Sequence, residues 1–403
     1  MTYHSLCGSF AVERFSYRQS AVRNGPTVVP LELAAELVER ATPALLFRVA
    51  LGDAQCPGRQ WEQQMHASHR EPPSRSTLER IAKKLGKAVR EAAPQILPAI
   101  RAAEVLAERA HAVSIGFDRT TIPMEERWRD NEVGEPVARR RNKPYLRKPP
   151  RPFDVNYRMG YVGTVTVSDA DGETLQSYKY ACSADEDPAA EVAKMLADVA
   201  HLMAQSRAVG KPIPLGVLQD GAPEMWRLVE EGLNKYLPGI AYDKAIDRYH
   251  LNERLAESVK ILGLSQGERQ RLMRQWNCLL DIDNSAIDMI EKRLNRDKSK
   301  RKTHRISAAN AAIFQSHLTY IKNNKCNMRY ADLRRKGLPV GSGATEGACK
   351  SLIMIRAKGC GQRWLAPGVN SVLTLRGLYL SDRLRPAWNA FLNGRVTNIR
   401  PAA

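Results

Sequence analysis

The spacing of apolar residues changes along the chain, and each change predicts a different element. From residue 30 to 110 the period is helical, with Leu31, Leu33, Leu37, Ala41, Leu45 and Leu46 at helix intervals. Pro72-Pro73-Ser74 then breaks the chain. A second helix opens at Ser76-Thr77-Leu78-Glu79, with Ile81, Leu85 and Val89 on one face. Ser76 reads as its cap, and Glu79 completes a capping box three residues later. The opposite face carries Arg80, Lys83, Lys84 and Lys87. A polar turn before a short basic helix resembles the reading half of a helix-turn-helix, so these side chains are candidate DNA contacts. The competing reading is an ordinary amphipathic helix with a solvated basic face. Ahead of this region, residues 10–12 and 15–17 pattern as a hairpin. The abrupt opening is what a shortened N-terminus would give.

The middle of the chain switches to strand patterning. Residues 112–117 form a compact apolar run that ends at Asp118. A charged, proline-rich interruption follows over 125–151. Residues 157–167 and 174–181 read as two strands joined by the turn Asp169-Ala170-Asp171-Gly172. Residues 188–207 are helical, with Val192, Met195, Leu196, Val199 and Leu202 on one face. Residues 213–218 make another apolar run that stops at Gln219-Asp220. Residues 222–237 are helical, and 240–246 is a short strand that stops at Asp247. The order is β-β-β-α-β-α-β. From 251 to about 338 the pattern is helical throughout. Gly341-Ser342-Gly343 then punctuates the chain before a last helical region that starts near Thr345.

Charge adds a partner to this outline. Among 403 residues, 62 Lys and Arg stand against 43 Asp and Glu, a formal charge of +19. An excess this large points to a polyanion, with nucleic acid favoured because no clean basic amphipathic membrane helix is present. Two runs are dense. One holds Arg139, Arg140 and Arg141. The other, 292–305, has eight Lys and Arg, including Lys298, Lys300, Arg301 and Lys302, against the single acid Asp297. No apolar window is long enough to span a membrane, and no secretory signal is visible. The seven cysteines are odd in number and include no C-x-x-C pair, which argues against a disulfide framework or a zinc ribbon. Reduced thiols in the cytoplasm fit best.

Three acids stand out by position. Asp118 and Asp220 each follow a strand, where a sheet edge leaves a crevice for ligands, and Glu346 opens a helix after the Gly-Ser-Gly hinge. Three converging carboxylates repel one another unless a cation joins them. Oxygen ligands beside a phosphate substrate suit Mg²⁺ or Mn²⁺, and two such ions can clamp the attacking and leaving oxygens of a phosphoryl transfer. The separation of 126 positions from Asp220 to Glu346 implies a helical insertion within the core. GSGATEGACKS is not a Walker loop, because Gly347 and Lys350 are not adjacent.

The segments VSIGFDRTTIPM, with Trp128 nearby, VLQDGAPEMW, YDKAIDRYHLNERL, GLPVGSGATEGACKSLI and GCGQRWLAPGVNSVLTLR carry a resemblance over most of the chain. It resembles the DDE transposases of the ISKra-type bacterial insertion-sequence family. The resemblance implies an α/β fold with a ribonuclease-H-like mixed sheet (β-β-β-α-β-α-β-α). It places an N-terminal hairpin and helical DNA-binding region at 1–110, the first part of the core at 111–250, the helical insertion at 251–340, and core completion with a basic tail at 341–403. It implies that Asp118, Asp220 and Glu346 hold two catalytic Mg²⁺ or Mn²⁺ ions. Asp247 and His250 match an Asp-x-x-His of related groups. Lys350, Arg356, Lys358, Arg363 and Trp364 are expected near the site or against DNA. The family more often has Gly after the first Asp, where this chain has Arg119. The implied activity is DNA cleavage and strand transfer at insertion-sequence ends. The implied partners are double-stranded DNA, as element ends and target, and further copies of the chain assembled on it. The implied location is the bacterial cytoplasm, at the nucleoid. Two other readings compete: a non-catalytic DNA-binding regulator derived from a transposase, and a nuclease of the same fold that only hydrolyses.

Overall fold

The computed structural model describes residues 1–18, 27–68, 72–127, 153–300, 306–359 and 361–396. The chain opens with a hairpin of β1 (Thr2–Ser5) and β2 (Gly8–Ala11), in register Thr2 to Ala11 and Ser5 to Gly8. This differs from the hairpin expected at 10–12 and 15–17. The ladder uses residues 2–11 because Tyr3 is the side chain that buries, whereas Phe15 is exposed. A two-residue ladder then joins β3 (Tyr17–Arg18) to β4 (Thr27–Val28).

Five helices follow: α1 (Pro30–Ala34), α2 (Pro43–Gln55), α3 (Gly58–Ala67), α4 (Arg75–Glu91) and α5 (Ala93–Ala103). Ile81, Leu85 and Val89 of α4 are buried, as their spacing predicts. The capping box is not formed. Ser74 leaves the proline segment extended and is the N-cap, so the helix begins earlier than expected. Ser76 therefore lies in the first turn, and Glu79 pairs with Arg75 at 3.6 Å.

The centre is one mixed sheet. Its strands are β5 (Ala112–Arg127), β6 (Phe153–Ser168), β7 (Thr174–Ser183), β8 (Leu215–Gln219) and β9 (Asp243–Ile246), in the order β7-β6-β5-β8-β9. β5, β6 and β7 pair antiparallel, whereas β8 runs parallel to β5 and β9 parallel to β8. Helices α6 (Pro188–Ala208) and α7 (Pro223–Tyr236) connect the later strands. Val192, Met195, Leu196, Val199 and Leu202 of α6 share one core with Phe117, Val165 and Val217 of the sheet. Contrary to the sequence reading, β5 does not end at Asp118. Its pairing with β8 stops at Gly116, but residues 119–127 continue as a two-stranded ribbon with 153–161 of β6. Beyond Phe117 the apolar run breaks up, and burial on this part of β5 centres on Ile122 and Met124, which pack with Leu352 and Ile353.

Five helices form the insertion: α8 (Arg248–Ile261), α9 (Gln266–Ile282), α10 (Ala286–Lys300), α11 (Ala308–Asn324) and α12 (Tyr330–Arg335). Leu255, Trp276, Ile290, Phe314 and Tyr330 join the same core as the sheet, so the insertion is fused to it. The chain returns through α13 (Gly343–Ala348), a π-helical segment (Cys349–Met354), α14 (Ile355–Ala357), α15 (Ala366–Leu380) and α16 (Leu384–Val396). Leu352 and Ile353 pack with Ile122 and Val162 of the β5–β6 ribbon. Leu375 of α15 and Trp388 and Phe391 of α16 share a core with Leu45, Leu46, Trp61 and Leu85. The C-terminal helices therefore complete the N-terminal helical layer. Gly86 permits a close crossing of α4 and α15, since a Cβ there would meet the Ser371 backbone oxygen at 2.7 Å. Among the described residues, no helix is long and apolar enough to cross a membrane.

Candidate functional site

Side chains from β5, β8, α8 and α13 converge at the edge where β5 and β8 part. Asp118 is half-buried on β5. The Arg119 amide donates to its Oδ1 at 2.7 Å, and the Cys349 thiol lies 3.6 Å from its Oδ2. Burial pushes the Asp118 carboxyl above its ordinary value. The Arg119 amide opposes this, the charge of Asp220 adds to it, and Cys349 and His250 pull it back. The strand passes straight through Asp118-Arg119, so no turn there demands a glycine, and the Arg119 side chain pairs with Glu224 instead.

Asp220 stands just past the end of β8. Its Oδ1 accepts from the Ala222 amide at 2.8 Å, which closes a turn whose middle residue, Gly221, has φ +96°. The Tyr320 hydroxyl of α11 donates to the Asp220 carbonyl at 2.7 Å, and its ring lies where a side chain on Gly221 would go. The insertion thus braces the Asp220 turn.

Asp247 caps α8 and is almost fully buried. It accepts from the amides of Tyr249, His250 and Ser342 at 3.3, 3.2 and 2.8 Å, and lies 2.6 Å from His250 Nδ1. Burial pushes its carboxyl up, but the His250 ring and the three amides together outweigh this and hold it low. His250 is raised: the bond to Asp247 favours the charged ring, burial opposes it, and Asp247, Glu346 and Asp220 add their charges. Glu346 Oε1 lies 3.9 Å from His250 Nδ1 and accepts from the Ser342 hydroxyl at 3.2 Å. The α13 helix that carries it is seated by the neighbouring Thr345, whose hydroxyl meets Thr164 of β6 at 2.8 Å and fills the space over Gly116 of β5.

The ligand atoms of Asp247, His250 and Glu346 all lie within 4.8 Å of one another. Asp118 and Asp220 are not members of this group and are coupled to it by charge: His250 lowers the Asp118 pKa, and Asp220 raises that of His250. Among the described residues, no Lys or Arg forms an ion pair with Asp118, Asp220 or Glu346. A donor set of oxygens with one imidazole and little cationic compensation suits a divalent cation.

Outside this centre the expected contacts divide. Lys350 is exposed. Lys358 donates to the Thr120 hydroxyl at 3.0 Å, and Arg363 pairs with Glu125 at 3.2 Å and lies over the Phe153 ring. Arg356 does not face solvent. It is buried, bonded to Asp53 Oδ1 at 2.9 Å and to the Asp53 carbonyl at 3.0 Å, so it ties α14 to α2. The Trp364 indole donates to the Ala357 carbonyl at 2.9 Å with Arg356 over its ring, an arrangement of packing rather than an open stacking platform. Arg80 and Lys84 pair with Glu39 at 2.5 and 2.6 Å, whereas Lys83 borders a cleft with Glu79 and Trp364. Lys298 donates to Gln315 at 3.0 Å. Arg139, Arg140, Arg141, Arg301, Lys302 and Trp128 lie outside the described residues, as does the side chain of Lys300. The sequence reading missed Cys349, Tyr320 and the Gly116–Thr345 seat. Only the GSGAT segment hinted at a close helix approach.

No protein-family model matches this chain, and no curated protein matches it.

Proposed function

We propose that this chain is a metal-dependent DNA transposase of the DDE type, built on a ribonuclease-H-like core. The observation that carries the reading is a convergence. Asp118 lies on the central strand, Asp220 follows the neighbouring parallel strand, and Glu346 sits on a helix whose Thr345 packs over Gly116 of the central strand and bonds Thr164 of β6. A sheet order of three antiparallel strands followed by two parallel ones is the order expected of such a core. Asp118, Asp220 and Glu346 would hold Mg²⁺ or Mn²⁺, with Glu346 the member of this trio that also belongs to the Asp247–His250–Glu346 group. Bound there, the ions would supply Lewis acidity to activate an attacking oxygen and to offset charge on a transferring phosphoryl group. The protein's own part is positional. The turn braced by Tyr320 fixes Asp220, and the Gly116–Thr345 seat fixes the helix of Glu346. Asp247 orients the His250 ring beside Glu346. No side-chain nucleophile is needed.

A net charge of +19 supports double-stranded DNA as the partner. Joining two element ends to a target needs more than one copy of the chain on DNA, so we assign the active form to a homo-oligomer. The test is cleavage and joining of labelled DNA that carries the inverted repeats flanking the gene, with Mg²⁺, with EDTA, and with Asp220→Asn. Metal-dependent nicking and end joining that Asp220→Asn abolishes is the expected result. Hydrolysis without joining would reduce the reading to a nuclease. Binding without cleavage would leave a regulator.

A further inference from the structure

We propose that Cys349 is the positioning residue for Asp118, its thiol donating to Asp118 Oδ2 so that the carboxylate holds one direction toward the site. The inference rests on the metal-site reading above. Asp118 differs from Asp220 in how it is held. Asp220 is fixed by its own turn and by Tyr320, whereas Asp118 lies in a strand that runs on past it and has no turn to hold its side chain. One of its oxygens takes the Arg119 amide at 2.7 Å, which comes from the next residue along. The other faces Cys349 Sγ at 3.6 Å, from an element 231 residues away. The carboxylate is thereby gripped from two sides, and each oxygen keeps a lone pair free.

Cys349 reaches this place through local structure. Thr345 seats α13 on Gly116, and three residues after Glu346 the chain opens into the π-helical turn that Cys349 begins. Such turns are frequent at functional sites. The sulfur is buried, so water does not replace the contact. A thiol is a weak donor, and it aims the carboxylate without bringing a neutralising charge. A thiol at its ordinary pKa of about 8.5 carries its proton near neutral pH and can donate it to a carboxylate.

The test is Mn²⁺ binding to the full-length protein without DNA, read from the electron paramagnetic resonance signal of free Mn²⁺ beside the melting temperature. Asp118→Asn is the reference and should lose the site. Cys349→Ala should weaken Mn²⁺ binding about tenfold, as loss of an orienting outer partner does. Its melting temperature should change little, and Cys349→Ser, which keeps a donor, should recover most of the affinity. If Cys349→Ala does not fold, Cys349→Val fills the space without a donor and takes its place. Wild-type affinity in the donor-less variant, with Asp118→Asn defective, would overturn the role of Cys349 and leave the metal site standing. Equal Mn²⁺ binding by wild type and Asp118→Asn would overturn the metal site, and this inference with it.

Discussion

Gly116 and Thr345 compete for one volume: a Cβ built on Gly116 of the central strand would overlap the Thr345 hydroxyl. That hydroxyl also meets Thr164 at 2.8 Å inside the protein. The position of α13, and with it Glu346, is therefore set by the absence of a side chain on β5.

Gly116→Ala is expected to destabilise the fold by about 1–3 kcal/mol, the usual cost of overpacking a rigid contact. Thr345→Ala removes the obstructing hydroxyl. The two substitutions together should cost less than their sum, with a coupling of about 0.5–3 kcal/mol. Urea denaturation of the four proteins measures it. Strict additivity would show that the helix is not seated by this contact.

Burial gives Arg356 a role different from its charge. Replacing it with Ala leaves Asp53 without its partner inside the protein, which should cost about 3–5 kcal/mol. Lys358→Ala, at a half-buried side chain, should change stability far less. Melting curves separate the two. A stable Arg356→Ala protein that binds DNA weakly would restore Arg356 as a DNA contact.

The strand and helix order was legible because burial here follows simple periods. The α6 face of Val192, Met195, Leu196, Val199 and Leu202 is buried throughout. What the sequence hid depends on partners far along the chain. β5 reaches Arg127 because 153–161 pair with it on one side and Trp364 bridges Met124 on the other, and both partners lie far along the chain. Arg356 looked like a solvent-facing cation because Asp53, its partner, lies 303 residues away. Asp118 and Asp220 could be picked out as acids that follow apolar runs. The Cys349 thiol beside Asp118 could not, since a π-turn leaves no pattern in the sequence.

His317 gives a pH dependence to the insertion. Its ring is buried between α11 and α8, with Nδ1 3.0 Å from the Ser258 hydroxyl. Burial holds its pKa below the ordinary value. The Glu257 carboxylate at 3.4 Å pulls upward and Arg254 pushes down again. A depressed folded value means that the unfolded chain takes the proton first. The stability tied to His317 is then complete above the ordinary histidine value of 6.5 and is lost as pH falls through the folded value. Stability measured from pH 8 to pH 5 should decline, and His317→Gln should flatten that decline. An unchanged slope in the variant would assign the effect to another group.

DNA affinity should fall steeply with salt if backbone charge dominates. The logarithmic slope is expected at about −0.9 per phosphate neutralised. Replacing Arg139, Arg140 and Arg141 with Ala should lower the slope by up to about three such units. Filter binding across a salt series reads this directly. A wild-type affinity that is flat in salt would remove the charge argument for a DNA partner.

The active-site reading turns on Glu346. A carboxylate in the first turn of a helix is favourable beside the helix dipole, so a purely structural role competes with a metal-binding one. Glu346 Oε1 accepts from the Ser342 side chain and faces His250, and α13 is only six residues long. Glu346→Gln keeps the size and most of the hydrogen bonding but removes the charge a divalent ion needs. A structural carboxylate would lose at most about 1 kcal/mol, and strand cleavage would continue. A metal ligand would lose cleavage by several orders of magnitude, because bound ions would activate the attacking oxygen and offset the charge that develops. DNA binding should hold or tighten, since one negative charge leaves a surface that meets phosphate. Asp118→Asn and Asp220→Asn should match it, and any pair of these substitutions should be no worse than one, because residues that act as a unit are not additive. Cleavage of labelled end DNA in Mg²⁺, gel-shift affinity and melting temperature, measured on the same preparations, decide between the two roles. A folded Glu346→Gln protein that cuts DNA near the wild-type rate would place the chemistry elsewhere.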